Sequence, residues 1–228
     1  MSEKKNYLNV VYNEQDRPFT SYPTKLSKYL FDTFDLKKGQ SILDVGCGRG
    51  EFLYGFMLCG LVPYAVDQIS LAKELYNEIN FKNCDLSKDK LPYEDETFDV
   101  VFSKSVIEHF YYPEKILLEM KRVLKKNGKI ITMTPDWELN FKNFYEDYTH
   151  RTPFSATSLK DFHLINGFSN IKVKKFKQLP ILWKKKNLVT NMLRIFSEIT
   201  RIMVPNYFKK YKWVKFSKEI ILLSVATK

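Results

Sequence analysis

A chain of 228 residues is long enough for one well-buried core and too short for two ordinary domains with a linker. Hydrophobic residues at 44% and charged residues at 28% describe a globular protein, and no apolar run reaches the roughly 20 residues of a membrane span. The net charge of +11 is local: residues 179–218 carry ten Lys or Arg against one acid, Glu198, which points to one basic attachment feature and away from a surface built for nucleic acid.

Lys4 and Lys5 precede no apolar leader core, and Cys47, Cys59 and Cys84 lack zinc-ligand spacing. Together these predict a cytoplasmic chain with reduced thiols. Residues 1–23 read as a polar, aromatic lead-in, and Leu26, Leu30 and Phe31 predict a helix over 24–34. SILD, residues 41–44, reads as a short buried strand. Gly46, Gly48 and Gly50 then permit a sharp turn, and a helix from Glu51 to about Cys59 presents its free N–H groups to that turn. The run ends in Arg-Gly-Glu, without the Gly-Lys-Ser/Thr of a phosphate-binding loop. PYAV, residues 63–66, is a second strand ending in Asp67. A helix over 70–77 and a strand over 80–83 lead to Cys84 and Asp85. After a polar loop at 89–97, FDVVFS reads as a central strand. Pro113 opens an amphipathic helix over 114–125, Asn127-Gly128 stops it, and 129–134 returns to strand.

Strands alternating with helices predict a parallel sheet covered on both faces, with a ligand across the edge where the strands end at Asp44, Asp67, Asp85, Ser103 and Thr134. One domain is expected over 1–228, with the lead-in and helix at 1–34, an acceptor-side loop at 136–158 and a basic amphipathic insertion at 179–218. A helix over 158–166, a strand over 171–176 and a final strand over 219–227 complete it. The insertion's helix carries Leu188, Met192, Ile195, Phe196, Ile199, Ile202 and Met203 at steps of three and four. Such a face can pack on the domain core, pair with a second copy in a homodimer, or lie on an anionic membrane surface through 184–218. Its tail, PNYFKKYKWVKF, has the spacing to stack bases, but no recognised nucleic-acid module surrounds it.

Asp67, 23 residues after Asp44, can accept hydrogen bonds from ribose hydroxyls, a property shared by nicotinamide and other adenosine cofactors. The turn lacks the arrangement dedicated to a pyrophosphate, and Cys84-Asp85 offers a further strand end at which an adenine amino group can be read. Helix capping is the structural alternative for both acids.

LDVGCGRGEF, YAVDQI, NCDL, LPYEDETFDVVFSKSVIEHF and EMKRVLKKNGKIIT follow one another over about residues 40–135. In that order they resemble the class I S-adenosylmethionine-dependent methyltransferases. The resemblance implies an α/β, Rossmann-like seven-stranded sheet with helices on both faces and the last strand antiparallel, a part EIILLSVAT would play. It implies that Gly46 and Gly48 lie against the methionine part of S-adenosyl-L-methionine, that Asp67 binds ribose, and that Asp85 with Leu86 flanks adenine. Ser103 would lie beside the methyl-transfer cleft, and Asp44 would orient the loop or reach the cofactor's amino group. YEDYTHRTPFSATSLKDFHLINGF resembles, more loosely, small-molecule methyltransferases of bacterial polysaccharide, sugar or quinone biosynthesis. Ser103-Lys104-Ser105-Val106 departs from the Asn/Asp-Pro-Pro-aromatic signature of enzymes that methylate DNA amino groups.

Methyl transfer needs a nucleophile in line, about 3 Å from the methyl carbon, and most of the gain comes from orientation. A hydroxyl acceptor also benefits from a base. His109, directly after Glu108, and His150, beside Arg151, are the candidates, each with a structural alternative. Asp136 and Tyr148 can orient an acceptor hydroxyl, Arg151 can hold a carboxylate or phosphate, and Trp137 with Phe141 can stack on a ring or on each other. His163 is expected to be a surface or packing residue. No metal set is expected; Asp136, Glu138 and Asp147 would hold magnesium only if the loop folded them together. The expected activity is O-methylation of a small acceptor, a sugar hydroxyl of a nucleotide-linked or polysaccharide-related glycan intermediate. The alternatives are a quinone or lipid precursor methyltransferase peripheral at the inner face of the membrane, and a non-catalytic cofactor-binding partner subunit.

Overall fold

The computed structural model describes residues 18–184 and 187–228. The expected lead-in over 1–17, and Lys185 and Lys186 of the basic run, lie outside the described residues. Ile42, Leu43 and Val45 are fully buried because β1 (Ser41–Val45) is an interior strand with helices above and below it. It pairs in parallel with β2 (Val62–Asp67) on one side and β4 (Phe98–Lys104) on the other. β3 (Asn80–Asn83) extends the sheet beyond β2, and β5 (Leu124–Pro135) lies beyond β4. β7 (Ile220–Thr227) inserts antiparallel between β5 and β6 (Ser169–Lys177), giving the order β3-β2-β1-β4-β5-β7-β6. The sheet therefore has the expected seven strands with the last antiparallel.

Alternation along the strands sends side chains to two cores. Leu43, Val45, Val101 and Ile130 pack with Leu117, Met120 and Leu159 of α4 (Pro113–Val123) and α6 (Ala156–Ile165). Ile42, Val100, Phe102 and Ile131 pack on the other face with Leu26, Leu30, Leu53 and Phe56 of α1 (Tyr22–Thr33) and α2 (Glu51–Leu58). The short α3 (Leu71–Leu75) adds Ala72 to this second core.

Three boundaries differ from the sequence reading. The fourth helix ends at Val123, and Leu124 begins the strand by pairing with Phe98; the register then shifts before Lys129 meets Val100, with Asn127 at φ 63° inside the bulge. The 136–158 segment is only partly a loop. It contains α5 (Trp137–Asn140) and a 3-10 turn, Phe144–Glu146, so its aromatics are held on helical turns. The insertion holds α7 (Leu188–Met203) and α8 (Lys212–Lys218), but α7 is inverted relative to an ordinary amphipathic helix: Thr190, Ser197 and Thr200 are its buried residues, while Leu188, Met192, Ile195, Ile199 and Ile202 face solvent. Ser197 donates to Ser217 of α8 at 2.9 Å, the Trp213 indole donates to Thr200, and the Lys177 ammonium reaches both Ser197 and Glu198. These polar pairs, together with Phe196 against Trp213 of α8, fasten this helix to the domain.

Candidate active site

The chain leaves β1 through three left-handed glycines, Gly46, Gly48 and Gly50, with φ of 74°, 53° and 76°. At Gly46 the backbone also passes so close to the β4–α4 connection that a Cβ would come within 2.5 Å of Val106, so glycine is required twice over. The loop is tied to β2 by Gly46 N–H donating to the Val66 carbonyl and Gly48 N–H donating to Asp67 Oδ2 at 2.8 Å. Burial raises the Asp67 carboxyl despite that bond. Asp44 is buried at the root of the loop, and its carboxyl is pushed up to about 8 by burial, with Asp67 adding and Lys104 opposing. Two acids held this way favour a cationic ligand, which would restore their charge.

Ser103 is buried on β4 with a hydroxyl that has no hydrogen-bond partner, beside Thr132 in the register of the sheet. Leu86 packs at the edge of the α4-side core. Asp85 is different: Ser87 donates both hydroxyl and backbone N–H to it, Gln68 donates to the same oxygen, and Lys88 pairs with the other at 3.0 Å. These partners, the Ser87 hydroxyl first, hold the carboxyl down at about 2. Its two oxygens are already engaged by Ser87, Gln68 and Lys88, so an adenine amino group would have to share them.

Beyond Val106 the 3-10 turn Ile107–His109 presents Glu108 inward and leaves His109 half-buried. Glu108 is completely buried, Thr134 donates to its Oε2 at 3.0 Å, and its Oε1 has no partner; burial pushes the carboxyl up to about 7. The Glu108 carbonyl accepts from the N–H groups of Arg151 and Thr152, which seats the 147–152 segment against this turn. His150 thereby lies beside His109, ring centroids 4.9 Å apart, and against Phe144 at 4.5 Å. His109 is lowered by burial and by the neighbouring His150. One ligand-capable atom from each of Glu108, His109 and His150 falls within 4.8 Å of the others. No metal set is visible in the sequence, because these groups meet only through the fold. Glu108 stands in the sequence only as the neighbour of His109; its signal is a carboxylate set in the apolar run VIEHF.

The expected acceptor residues are only partly gathered. Asp136 is buried, but it faces Lys175, 3.5 Å away, and Lys175 also pairs with Glu138. Those two acids thus share a lysine, while Asp147 accepts from Thr149; the magnesium set considered for Asp136, Glu138 and Asp147 is not what the fold builds. Trp137 packs edge-on against Phe141, Phe144 and Tyr145, the mutual packing that was its structural alternative. Tyr148 is exposed, and Arg151 donates to the Tyr148 and His150 carbonyls while its guanidinium lies over Tyr111. His163 is fully buried, its Nδ1 on the Leu159 carbonyl, and is a packing residue.

A family profile described as a methyltransferase domain matches residues 36–196, more than two thirds of the chain. The chain belongs to the methyltransferase domain family. As a methyltransferase it uses S-adenosylmethionine as methyl donor. An uncharacterised protein of Methanocaldococcus jannaschii is 29% identical over 180 residues, 78% of this chain and 75% of that one. Phosphoethanolamine N-methyltransferase 3 of Arabidopsis thaliana is 31% identical over 135 residues, 51% of this chain, and the match spans only 27% of the plant protein. Among solved structures, a SAM-dependent methyltransferase from Archaeoglobus fulgidus superposes with a TM-score of 0.65 at 20% identity, covering 98% of this chain and all of that one; the likeness is one of fold.

The residues present fit the donor. The glycine loop brings bare backbone to the strand ends, Ser103 has an unsatisfied buried hydroxyl, and the Asp44–Asp67 pair suits a ligand bearing an ammonium and a sulfonium. No helix of the described residues is long and apolar enough to cross a membrane.

Proposed function

We propose that this methyltransferase methylates a hydroxyl of a small, phosphate-bearing acceptor, a sugar of a nucleotide-linked or polysaccharide-related intermediate. The observation that carries this reading is the convergence of Glu108, His109 and His150 at the turn that follows Val106, whose side chain abuts Gly46. An amine acceptor is nucleophilic once neutral, whereas a hydroxyl must shed its proton as it attacks, and these three groups offer the lone pairs for that. The donor supplies an electrophilic methyl carbon on a sulfonium. In this reading Gly46, Gly48, Asp44 and Asp67 hold the donor, Leu86 and Asp85 border its adenine end, and Ser103 lies beside the cleft. Asp136 and Trp137 support the acceptor wall from behind, and Tyr148 and Arg151 stand at its exposed rim, where the guanidinium can receive a phosphate after leaving its carbonyl partners.

A second reading is favoured by α7. Its outward apolar face and the surrounding lysines suit an anionic membrane surface, so the acceptor would be a lipid-linked sugar, a quinone or another lipid precursor. The similarity to a phosphoethanolamine N-methyltransferase adds a phosphorylated amine to the acceptors worth testing. The experiment is incubation with S-adenosylmethionine and a panel of nucleotide sugars, lipid-linked sugars, quinone precursors and phosphoethanolamine, reading products that gain one CH2 unit by mass. A hydroxyl product supports the leading reading. Methylation confined to phosphoethanolamine overturns it, and cofactor binding without turnover on any acceptor would favour a non-catalytic subunit.

A further inference from the structure

We propose that Glu108, His109 and His150 form a binding site for one divalent transition-metal cation on the acceptor side of the cleft. The tautomers argue for it. The Thr149 hydroxyl donates to Asp147 Oδ1 at 2.5 Å, so at 2.9 Å from His109 Nδ1 it can only accept, which puts the ring proton on Nδ1 and the lone pair on Nε2. His150 Nδ1 lies 2.6 Å from the Phe144 carbonyl, an acceptor without a proton, so its lone pair is on Nε2 as well. The carboxylate repeats the pattern: Oε2 is held by Thr134 and the buried Oε1 is unpartnered. Each of the three side chains is anchored through one atom and keeps a second for a ligand, His150 Nε2 lying 4.0 Å from Asp147 Oδ2, and one ligand-capable atom of each lies within 4.8 Å of the others.

Ligating histidines characteristically donate their second ring nitrogen to a carbonyl or, through a relay, to a carboxylate, and both arrangements are present here. Two imidazoles and one carboxylate suit manganese, iron, cobalt or zinc rather than magnesium or calcium, and leave positions open for an acceptor oxygen. On the reading that the acceptor is a hydroxyl, the cation lowers its pKa, and the proton leaves to solvent water. The oxygen then forms the new C–O bond as the methyl C–S bond breaks, and that electron pair stays on sulfur as a neutral thioether.

The test is direct cation binding to the full chain, stripped with chelator and titrated with Co2+, reading the visible d–d absorption and the stoichiometry by equilibrium dialysis. One Co2+ per chain is expected, weakened at least about tenfold by His150→Ala and by Glu108→Gln, and about tenfold by Thr149→Val, a positioning change that leaves all three ligands in place. His163→Gln, the histidine outside the cluster, should leave the stoichiometry at one. S-adenosylhomocysteine binding by each variant reports that it has folded. No Co2+ binding by the wild-type chain, or binding equally tight in folded His150→Ala, would overturn the site. Hydroxyl methylation at an undiminished rate by fully stripped protein would overturn the cation's part in deprotonation, while leaving the acceptor reading intact. Stoichiometric Co2+ binding with amine products alone supports the site and removes the hydroxyl reading.

Discussion

Gly48 donates its backbone N–H to Oδ2 of Asp67 over 2.8 Å, joining the glycine loop after β1 to the end of β2. One carboxylate thus shapes the loop and, in the proposed reading, accepts from the ribose hydroxyls of the donor. Asp67→Ala is expected to weaken S-adenosylhomocysteine binding by about 10- to 100-fold, the loss of one or two hydrogen bonds to a charged group. Asp67→Asn keeps the shape with a weaker acceptor and should lose less. Calorimetric titration of the two variants checks the order, and equal affinities in wild type and Asp67→Ala would remove Asp67 from the site.

On the proposed reading that Asp44 meets the donor's amine, donor binding is pH-dependent. Its carboxyl sits at about 8, above the ordinary carboxylate range, so the ligand-free protein holds a proton there at neutral pH. A cationic amine at Asp44 favours the ionised form, and binding must then release that proton. Affinity for S-adenosylhomocysteine should rise as pH rises from 6 toward 8, with a limiting slope of about tenfold per unit. The same raised value means that the ligand-free fold loses stability as pH rises through this interval. Asp44→Asn should flatten both curves. Titrations at pH 6, 7 and 7.5 giving one common affinity for the wild type would show that Asp44 does not meet the amine.

His163 makes the opposite contribution to stability. It is buried between the Leu159 carbonyl and Thr132, and desolvation lowers its pKa below the usual 6.5. The unfolded chain therefore takes up a proton first. Stability attributable to this neutral ring is complete above about 6.5 and is lost as pH falls through the lowered native value. Thermal melts should show Tm falling below pH 6.5, with a shallower fall in His163→Gln. For a chain of this size each kcal/mol moves Tm by about 2–4 °C, so the difference is measurable. Parallel Tm–pH curves would exclude His163 as the source.

Most of the sheet is legible because its signals are local. SILDVG, YAVD and FDVVFS each combine a short apolar run with a turn residue, and the three glycines announce backbone that no side chain could follow. What is not legible depends on residues far apart. Leu124 is a strand residue because Phe98 lies beside it, which the helical period of the preceding segment conceals. Glu108 becomes a buried, half-satisfied carboxylate only because Thr134 arrives from β5 and the 147–152 segment folds over it. His109 and His150, 41 positions apart, were each visible as candidates, but their common site with Glu108 was not.

The helix α7 reverses the usual inference from hydrophobic period to core. Leu188 is 77% and Met203 74% exposed, whereas Ser197 is fully buried. An apolar stripe left outward on a 16-residue helix, in a stretch of sequence rich in lysine, suits insertion at the headgroup boundary of an anionic bilayer, with apolar burial and charge attraction acting together. Flotation with vesicles containing phosphatidylglycerol should carry the protein at low ionic strength and release most of it in high salt. Ile195→Asp with Ile202→Asp should abolish flotation without changing S-adenosylhomocysteine affinity, since both side chains are exposed on α7. Sedimentation would expose the competing arrangement. A stable dimer that this double substitution splits, together with no vesicle binding, would mean that a second copy of the chain, and not lipid, covers the face.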